Sequence, residues 1–187
     1  MPDVNNVTAA KPAKAGSVYR APRGTQIPAS TSDQLNTAFK CLGYISEDGI
    51  TNSNSPSSDK VKAWGGDTVL NFFDEKPDTW KFKLIEAMNL EVLKTVYGDK
   101  NVTGASLTEG LKVDATAEEY EYCIWVIDMI LKGNVAKRVV IYNASVTEVA
   151  EIVYKDNESV GYELTISALP NTSGVTHTEY IKTAGGE

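Results

Sequence analysis

The clearest pattern in the chain is the run YEYCIWVIDMIL, Tyr120 to Leu131, which is apolar on both alternating faces of an extended strand. Cys123, Trp125, Ile127 and Met129 fall on one side; Tyr122, Ile124, Val126 and Ile130 fall on the other, interrupted by Asp128. Such a strand is either central to a sandwich or covered by a neighbouring subunit. Gly133-Asn134 supplies a turn into a strand over Lys137–Asn143, and Val146–Tyr154 alternates next. After a polar turn, Lys155–Gly161, Tyr162, Leu164, Ile166 and Ala168 alternate against Glu163, Thr165 and Ser167, which predicts a strand with one buried face. Residues 171–187 read as a polar tail with one further strand around His177–Ile181.

The N-terminal half is more broken. Residues 1–16 are poor in large apolar groups and rich in Ala, Pro and Lys, the composition of a flexible arm. Ser17–Ala21 reads as a short strand. Thr31-Ser32-Asp33-Gln34 has the form of a capping box, and Leu35, Ala38, Phe39 and Leu42 follow at helical spacing up to Gly43, so a short amphipathic helix is expected there. Tyr44–Ile50 begins as a strand and enters a long polar loop, residues 46–67, in which Val61–Trp64 resumes extended structure. Thr68–Asp74 and Thr79–Ile85 flank Glu75-Lys76-Pro77-Asp78 as a hairpin. Asn89 caps a second short helix with Leu90, Leu93 and Tyr97 on one face, ended by Gly98. Many strands, frequent turns and two short helices predict a mainly β (α+β) fold, a β-sandwich or barrel-like sheet with helical cover. The organisation expected is an arm (1–16), one domain (17–170) carrying the loop 46–67, and a tail (171–187).

At 187 residues one domain with a full core is expected. The formal charge of −7 argues against tight nucleic-acid binding through phosphate neutralisation. Charge is uneven, because Lys11, Lys14, Arg20 and Arg23 against Asp3 make the first 24 residues basic within an acidic chain. Cys41 and Cys123 read as buried small hydrophobes rather than a disulfide. No apolar run has the form of a signal peptide or a membrane span, so no membrane insertion is expected.

Catalytic chemistry finds little to stand on. His177 is the sole histidine and reads as an exposed tail residue, with no nucleophile-elbow sequence to accompany it. Zinc would need a cluster of Cys and His that is missing here. Carboxylates gather at Glu47-Asp48, at Asp74, Glu75 and Asp78, and at Glu118, Glu119 and Glu121. Their spacing fits no calcium loop, and charged turns between strands are ordinarily solvated. Gly65-Gly66 lacks the surroundings of a phosphate loop and reads as a backbone turn. Trp64 beside it is either a core anchor at the base of the loop or a contact residue at an interface. No catalytic residue, cofactor or metal is therefore assigned.

The order APRGTQIP, CLGYISEDGI, VKAWGGD and KFKLIEAMNLEVLKTVYG resembles the major tail (tail tube) protein of long non-contractile bacteriophages, over roughly residues 16–170. The resemblance implies a structural virion protein with a β-sandwich and packed helix, made in the host cytoplasm and located in the tail. It implies hexameric rings whose inner strands join into a barrel, stacked around a tape-measure protein. A tail terminator and baseplate or initiator proteins are further implied partners, and DNA transits the lumen without tight binding. Loops and arms bridge the rings in that family, which implies subunit-interface roles for Glu47, Asp48, Gly49, Trp64, Gly65, Gly66 and Asp67, and for Lys11 and Lys14. Glu118, Glu119 and Glu121, in the acidic segment Glu109–Asp128, are the lumen candidates. The alternative reading is a monomeric β-sandwich that binds carbohydrate or a cell surface through its loops.

Overall fold

The computed structural model describes residues 1–14 and 16–183. Thirteen strands and one α-helix form among them: β1 (Lys11–Pro12), β2 (Val18–Pro22), β3 (Lys40–Cys41), β4 (Ile45–Ser53), β5 (Ser58–Lys62), β6 (Thr68–Phe73), β7 (Asp78–Leu84), α1 (Leu90–Tyr97), β8 (Val102–Thr103), β9 (Lys112–Val113), β10 (Cys123–Leu131), β11 (Val135–Val149), β12 (Tyr162–Ala168) and β13 (His177–Thr183). The main sheet runs β3-β2-β10-β11-β12-β7-β4, with β1 also on β10 and β13 also on β11, and every pairing is antiparallel. The fold is mainly β and sandwich-like, as the alternation predicts.

β10 is the centre, and its two-sided apolar pattern is satisfied within the subunit. Cys123, Trp125 and Ile127 enter the main core with Trp80, Phe82, Leu84, Leu164 and Ile166. Ile124 and Val126 face a second cluster with Ala21, Phe39 and Val140. Trp125 is wholly enclosed, and its indole N–H donates to the Ala144 carbonyl at 3.1 Å, so its polar group is not left unpaired.

Lys137–Asn143 and Val146–Tyr154, expected as two strands, are one strand with two irregularities. Its register slips against β10 between Cys123 and Trp125, and against β12 between Val146 and Glu148. Each extra residue bends the strand. β11 thereby leaves β10 at Ala144 and joins β12, linking the two layers. The turn into it is at Gly133-Asn134, both with positive φ, as the sequence predicts.

The helix expected at Asn89–Gly98 is present. The Asn89 side chain accepts from the Glu91 N–H at 3.0 Å, the Gly98 N–H donates to the Lys94 carbonyl, and Val92, Leu93 and Val96 are buried in the main core. The helix expected over Thr31–Gly43 does not form. The Asp33 carboxylate accepts from the Ala29 N–H at 2.7 Å and the Ser30 hydroxyl at 2.6 Å, holding the segment in a tight bend. Arg138 then donates to the Ser30 and Asp33 carbonyls at 3.0 and 2.8 Å, the second an acceptor that a helix capped at Thr31 would use for itself. Leu35 and Phe39 still reach the second cluster, so the apolar spacing reports burial without helical geometry.

The loop expected at 46–67 is also corrected, because β4, β5 and a tight turn occupy most of it. β6 pairs with β5 and β7 with β4, so the expected Thr68–Asp74/Thr79–Ile85 hairpin is replaced by a longer one. Cys41, expected buried, is exposed on β3; Cys123 is buried, and both are free thiols.

Gly43 has φ +72°, and a Cβ there would lie about 2 Å from the Glu86 carboxylate. That carboxylate accepts from the Tyr44 N–H and the Asn89 amide, both at 2.9 Å, tying the start of β4 to the helix cap. Gly43→Ala is expected to destabilise the fold by about 2 kcal/mol through strain and displacement of Glu86, a loss that denaturant unfolding would read.

Candidate functional site

β4 and β7 pair from Ile45↔Leu84 to Ser53↔Thr79 and continue outward as one two-stranded arm. Ser57 and Glu75 close the junction by a 2.8 Å backbone bond, and Asp74 donates back to the Ser57 carbonyl at 3.1 Å. Beyond it, among the described residues, β5 and β6 pair only with each other. The tip is closed by the Ala63 N–H donating to the Asp67 carbonyl and the Gly66 N–H to the Ala63 carbonyl. Gly65 and Gly66 have φ +113° and +100°, values that L side chains rarely adopt. From Ser57 to the tip the arm extends roughly 20 Å at the ordinary rise of a strand.

The arm is apolar and bare. Val61, Trp64, Val69, Leu70, Phe72 and Phe73 are all exposed. The register Val61↔Leu70 and Asp59↔Phe72 places Val61, Leu70 and Phe72 on one face; Phe73 alternates to the other, and Val69 is the extra residue at a register shift. Of the two readings open for Trp64, the core anchor fails: it stands fully exposed at the tip with Gly65, Gly66 and Asp67.

Glu47, Asp48 and Gly49 are elsewhere. Four residues, 46–49, bulge out of β4 between its Ile45↔Leu84 and Ile50↔Phe82 pairs, with the Ser46 hydroxyl donating to Asp48 at 3.1 Å. The bulge therefore lies at the end of β4 remote from the arm, on a strand that pairs only with β7 among the described residues. Lys11 and Lys14 sit elsewhere, on and after β1 beside β10, where Lys11 pairs with Ile130, the Ala13 N–H donates to the Asp128 carbonyl, and the Thr8 hydroxyl accepts from the Lys132 N–H. The acidic bulge, the arm tip and the basic N-terminal segment are thus three separate sites.

The sheet β11-β12-β7-β4 has one apolar and one polar face. Trp80, Phe82, Leu84, Leu164 and Ile166 point into the core, and Thr79, Lys81, Lys83, Glu163, Thr165 and Ser167 alternate to the outside. Lys81 and Glu163 pair across it at 2.7 Å. Glu118, Glu119 and Glu121 lie off every sheet, between β9 and β10, and Glu121 pairs with Lys100 at 3.1 Å.

His177 opens β13, the strand expected there, but the exposed side chain expected of it is half-enclosed. Its Nδ1 lies 2.5 Å from Oδ2 of Asp78, whose side chain is wholly buried, and its ring meets Trp80 edge-on at 5.1 Å. Asn52 donates to the other Asp78 oxygen at 2.8 Å. Sequence reasoning missed this pair because β13 returns to the root of the arm only through the sheet; the one legible signal was an Asp at a position of β7 whose parity is that of the core. Burial alone pushes the Asp78 carboxyl up, but hydrogen bonds from Thr176, His177 and Asn52 and the His177 charge outweigh it, leaving it below its ordinary value. A carboxyl lowered on folding stabilises the protein fully above its unfolded pKa, about 3.9, and ceases to do so as pH falls through the lower folded value. Asp78→Asn is therefore expected to be less stable than the parent near neutrality, with the gap closing below about pH 4, measured by urea unfolding across pH.

Among the described residues no three His, Cys, Asp or Glu side chains converge as metal ligands would. No described helix is long and apolar enough to cross a membrane. The site's features are those of association: exposed apolar surface and an unpaired sheet edge. No curated protein is detectably similar to the chain. The family model for phage tail tube proteins matches residues 4–184, nearly the whole chain. The chain belongs to the phage tail tube protein family, whose members are structural proteins of the virion tail.

Proposed function

We propose that this chain is the repeating subunit of the tube of a long, non-contractile phage tail, associating head-to-tail into rings, six to a ring, that stack around a lumen for DNA. The observation that carries the reading is the arm, whose apolar side chains are exposed on both faces. A two-stranded ribbon alone is marginal in water, and this much bare apolar surface calls for a partner. A second copy of the chain is the partner that tube growth supplies.

Two further features support ring closure. β4 offers a free edge for strand addition. The acidic bulge at Glu47-Asp48 lies on β4 and the basic segment with Lys11 and Lys14 lies beside β10, strands that do not pair, so their opposite charges suit a contact between neighbouring subunits. The lumen has two candidate linings, the segment with Glu118, Glu119 and Glu121 and the polar face of β11-β12-β7-β4. The sheet face is favoured, since it belongs to the free-edged sheet that ring closure would extend. On that face Lys81 is paired with Glu163, which takes one of its two lysines, Lys81 and Lys83, out of competition for phosphate. Tape-measure, terminator and initiator proteins are the expected partners, with assembly in the host cytoplasm.

Electron microscopy and sedimentation of the full chain at rising concentration test this. Rings or tubes of uniform diameter are the expected result; a monomer at all concentrations, even with an assembly initiator present, would overturn it.

A further inference from the structure

We infer that the buried Asp78, bonded to both Asn52 and His177, is a clasp that fixes the direction of the hairpin arm and couples it to the C-terminal strand β13. Its meaning for assembly rests on the arm being an assembly contact. The argument is mechanical. Past Asn54 and before Asp78 the arm is exposed throughout, and its strands pair only with each other, so its direction is decided at its root.

Three chain segments converge there on one carboxylate. Asp78 opens β7, Asn52 stands on β4 directly across the ladder's root, and His177 opens β13. Asn52 also donates to the Thr79 carbonyl at 3.1 Å, so it grips both the side chain and the backbone of the opposite strand. His177 is braced against Trp80 and sits where β13 begins its pairing with β11, at Ile141. The β13 segment therefore reaches the arm through His177 and through Thr176, the residue just before β13, which bonds the same carboxylate. The root is polar where the rest of the layer is apolar, and a buried acceptor with directional donors sets an angle that packed aliphatic groups would not. Asp78, Asn52 and His177 are positioning residues: each acts on the arm through the others.

The clasp can be read without assembly. Nitroxide labels at Trp64→Cys on the tip and Glu148→Cys on the body, in a Cys41→Ser background, report the arm's direction by electron–electron dipolar spectroscopy. Asp78→Asn and His177→Ala are each expected to broaden the distance distribution about twofold and to speed amide exchange at residues 177–179 roughly tenfold, with the centre of β10 and β11 still protected. His177→Asn, whose amide N–H stands near the place of Nδ1, is expected to restore the parent width. An unchanged width in His177→Ala, or broadening accompanied by faster exchange throughout β10 and β11, would overturn the inference. Should Asp78→Asn fail to fold, His177→Ala alone decides. A variant with a loosened arm that assembles normally would uphold the clasp and overturn the assembly role of the arm, so the two readings fail separately.

Discussion

Excising residues 58–73 and joining Ser57 to Asp74 through Asn-Gly is expected to leave a folded monomer that forms no tubes. The cut is made where the Asp74 N–H meets the Ser57 carbonyl, so a two-residue turn can close the shortened ribbon without disturbing Asn52 or Asp78. The removed strands bond only to each other and contribute nothing to either core cluster. Stability should therefore change by no more than about 1 kcal/mol. Assembly should change far more. Val61, Leu70, Phe72 and Phe73 are about half exposed, so each would contribute roughly half of the 1.5–3 kcal/mol of a full burial. Even after the cost of association is set against that gain, losing them should raise the concentration needed for assembly by several orders of magnitude. Thermal melting and sedimentation velocity on one preparation separate the two effects. Tubes of ordinary length from the excised variant would remove the arm from the assembly mechanism.

Arg138→Ala is expected to be the most damaging single substitution to the fold, costing about 3–5 kcal/mol. Arg138 is buried and grips Asp128 with two bonds, of 2.6 and 2.9 Å, while donating to the Ser30 and Asp33 carbonyls. Truncation leaves the Asp128 charge without its counterion and frees the segment that covers Ile124, Val126 and Val140. In a chain of this size the melting temperature should fall by roughly 6–20 °C. Arg138→Lys should recover little, because an ammonium cannot hold the planar fork of four contacts. Replacing the pair together, Arg138→Met with Asp128→Leu, should recover part of the loss, since no buried charge then remains. A double variant no more stable than Arg138→Ala would move the main cost from the orphaned charge to the freed segment.

The two regions tested differ in how far the sequence discloses them. β12 and α1 are written locally. Strict alternation from Tyr162 to Ala168 becomes four buried side chains on one face, and Asn89 with Gly98 bounds a helix by bonds within its own turns. The segment Thr31–Gly43 carries an equally good local signal for a helix, yet Arg138, more than a hundred residues on, takes the Asp33 carbonyl. Asp33 shows the same conflict in miniature, since its carboxylate accepts from the Ala29 N–H and the Ser30 hydroxyl and bends the chain where Thr31 is expected to cap the helix.

The candidate site divides in the same way. Composition placed Trp64, Gly65 and Gly66 together at a turn, and they do close one, at the tip of the arm. That this turn ends an exposed hairpin depends on β6 pairing with β5 rather than β7, a choice between partners of similar strand propensity that no local pattern decides. Glu47 and Asp48 looked like part of the same loop, and the bulge in β4 carries them to the opposite end of the strand.

By itself the sequence determined the strand-rich class, the two-sided centre at β10, the helix Leu90–Tyr97 and the turn at Gly133-Asn134, because periodicity, capping and positive φ act over a few residues. The tertiary structure alone decided which strands pair, which face Arg138 covers and where His177 meets Asp78, because those contacts join residues about a hundred positions apart and compete with local preferences of similar strength.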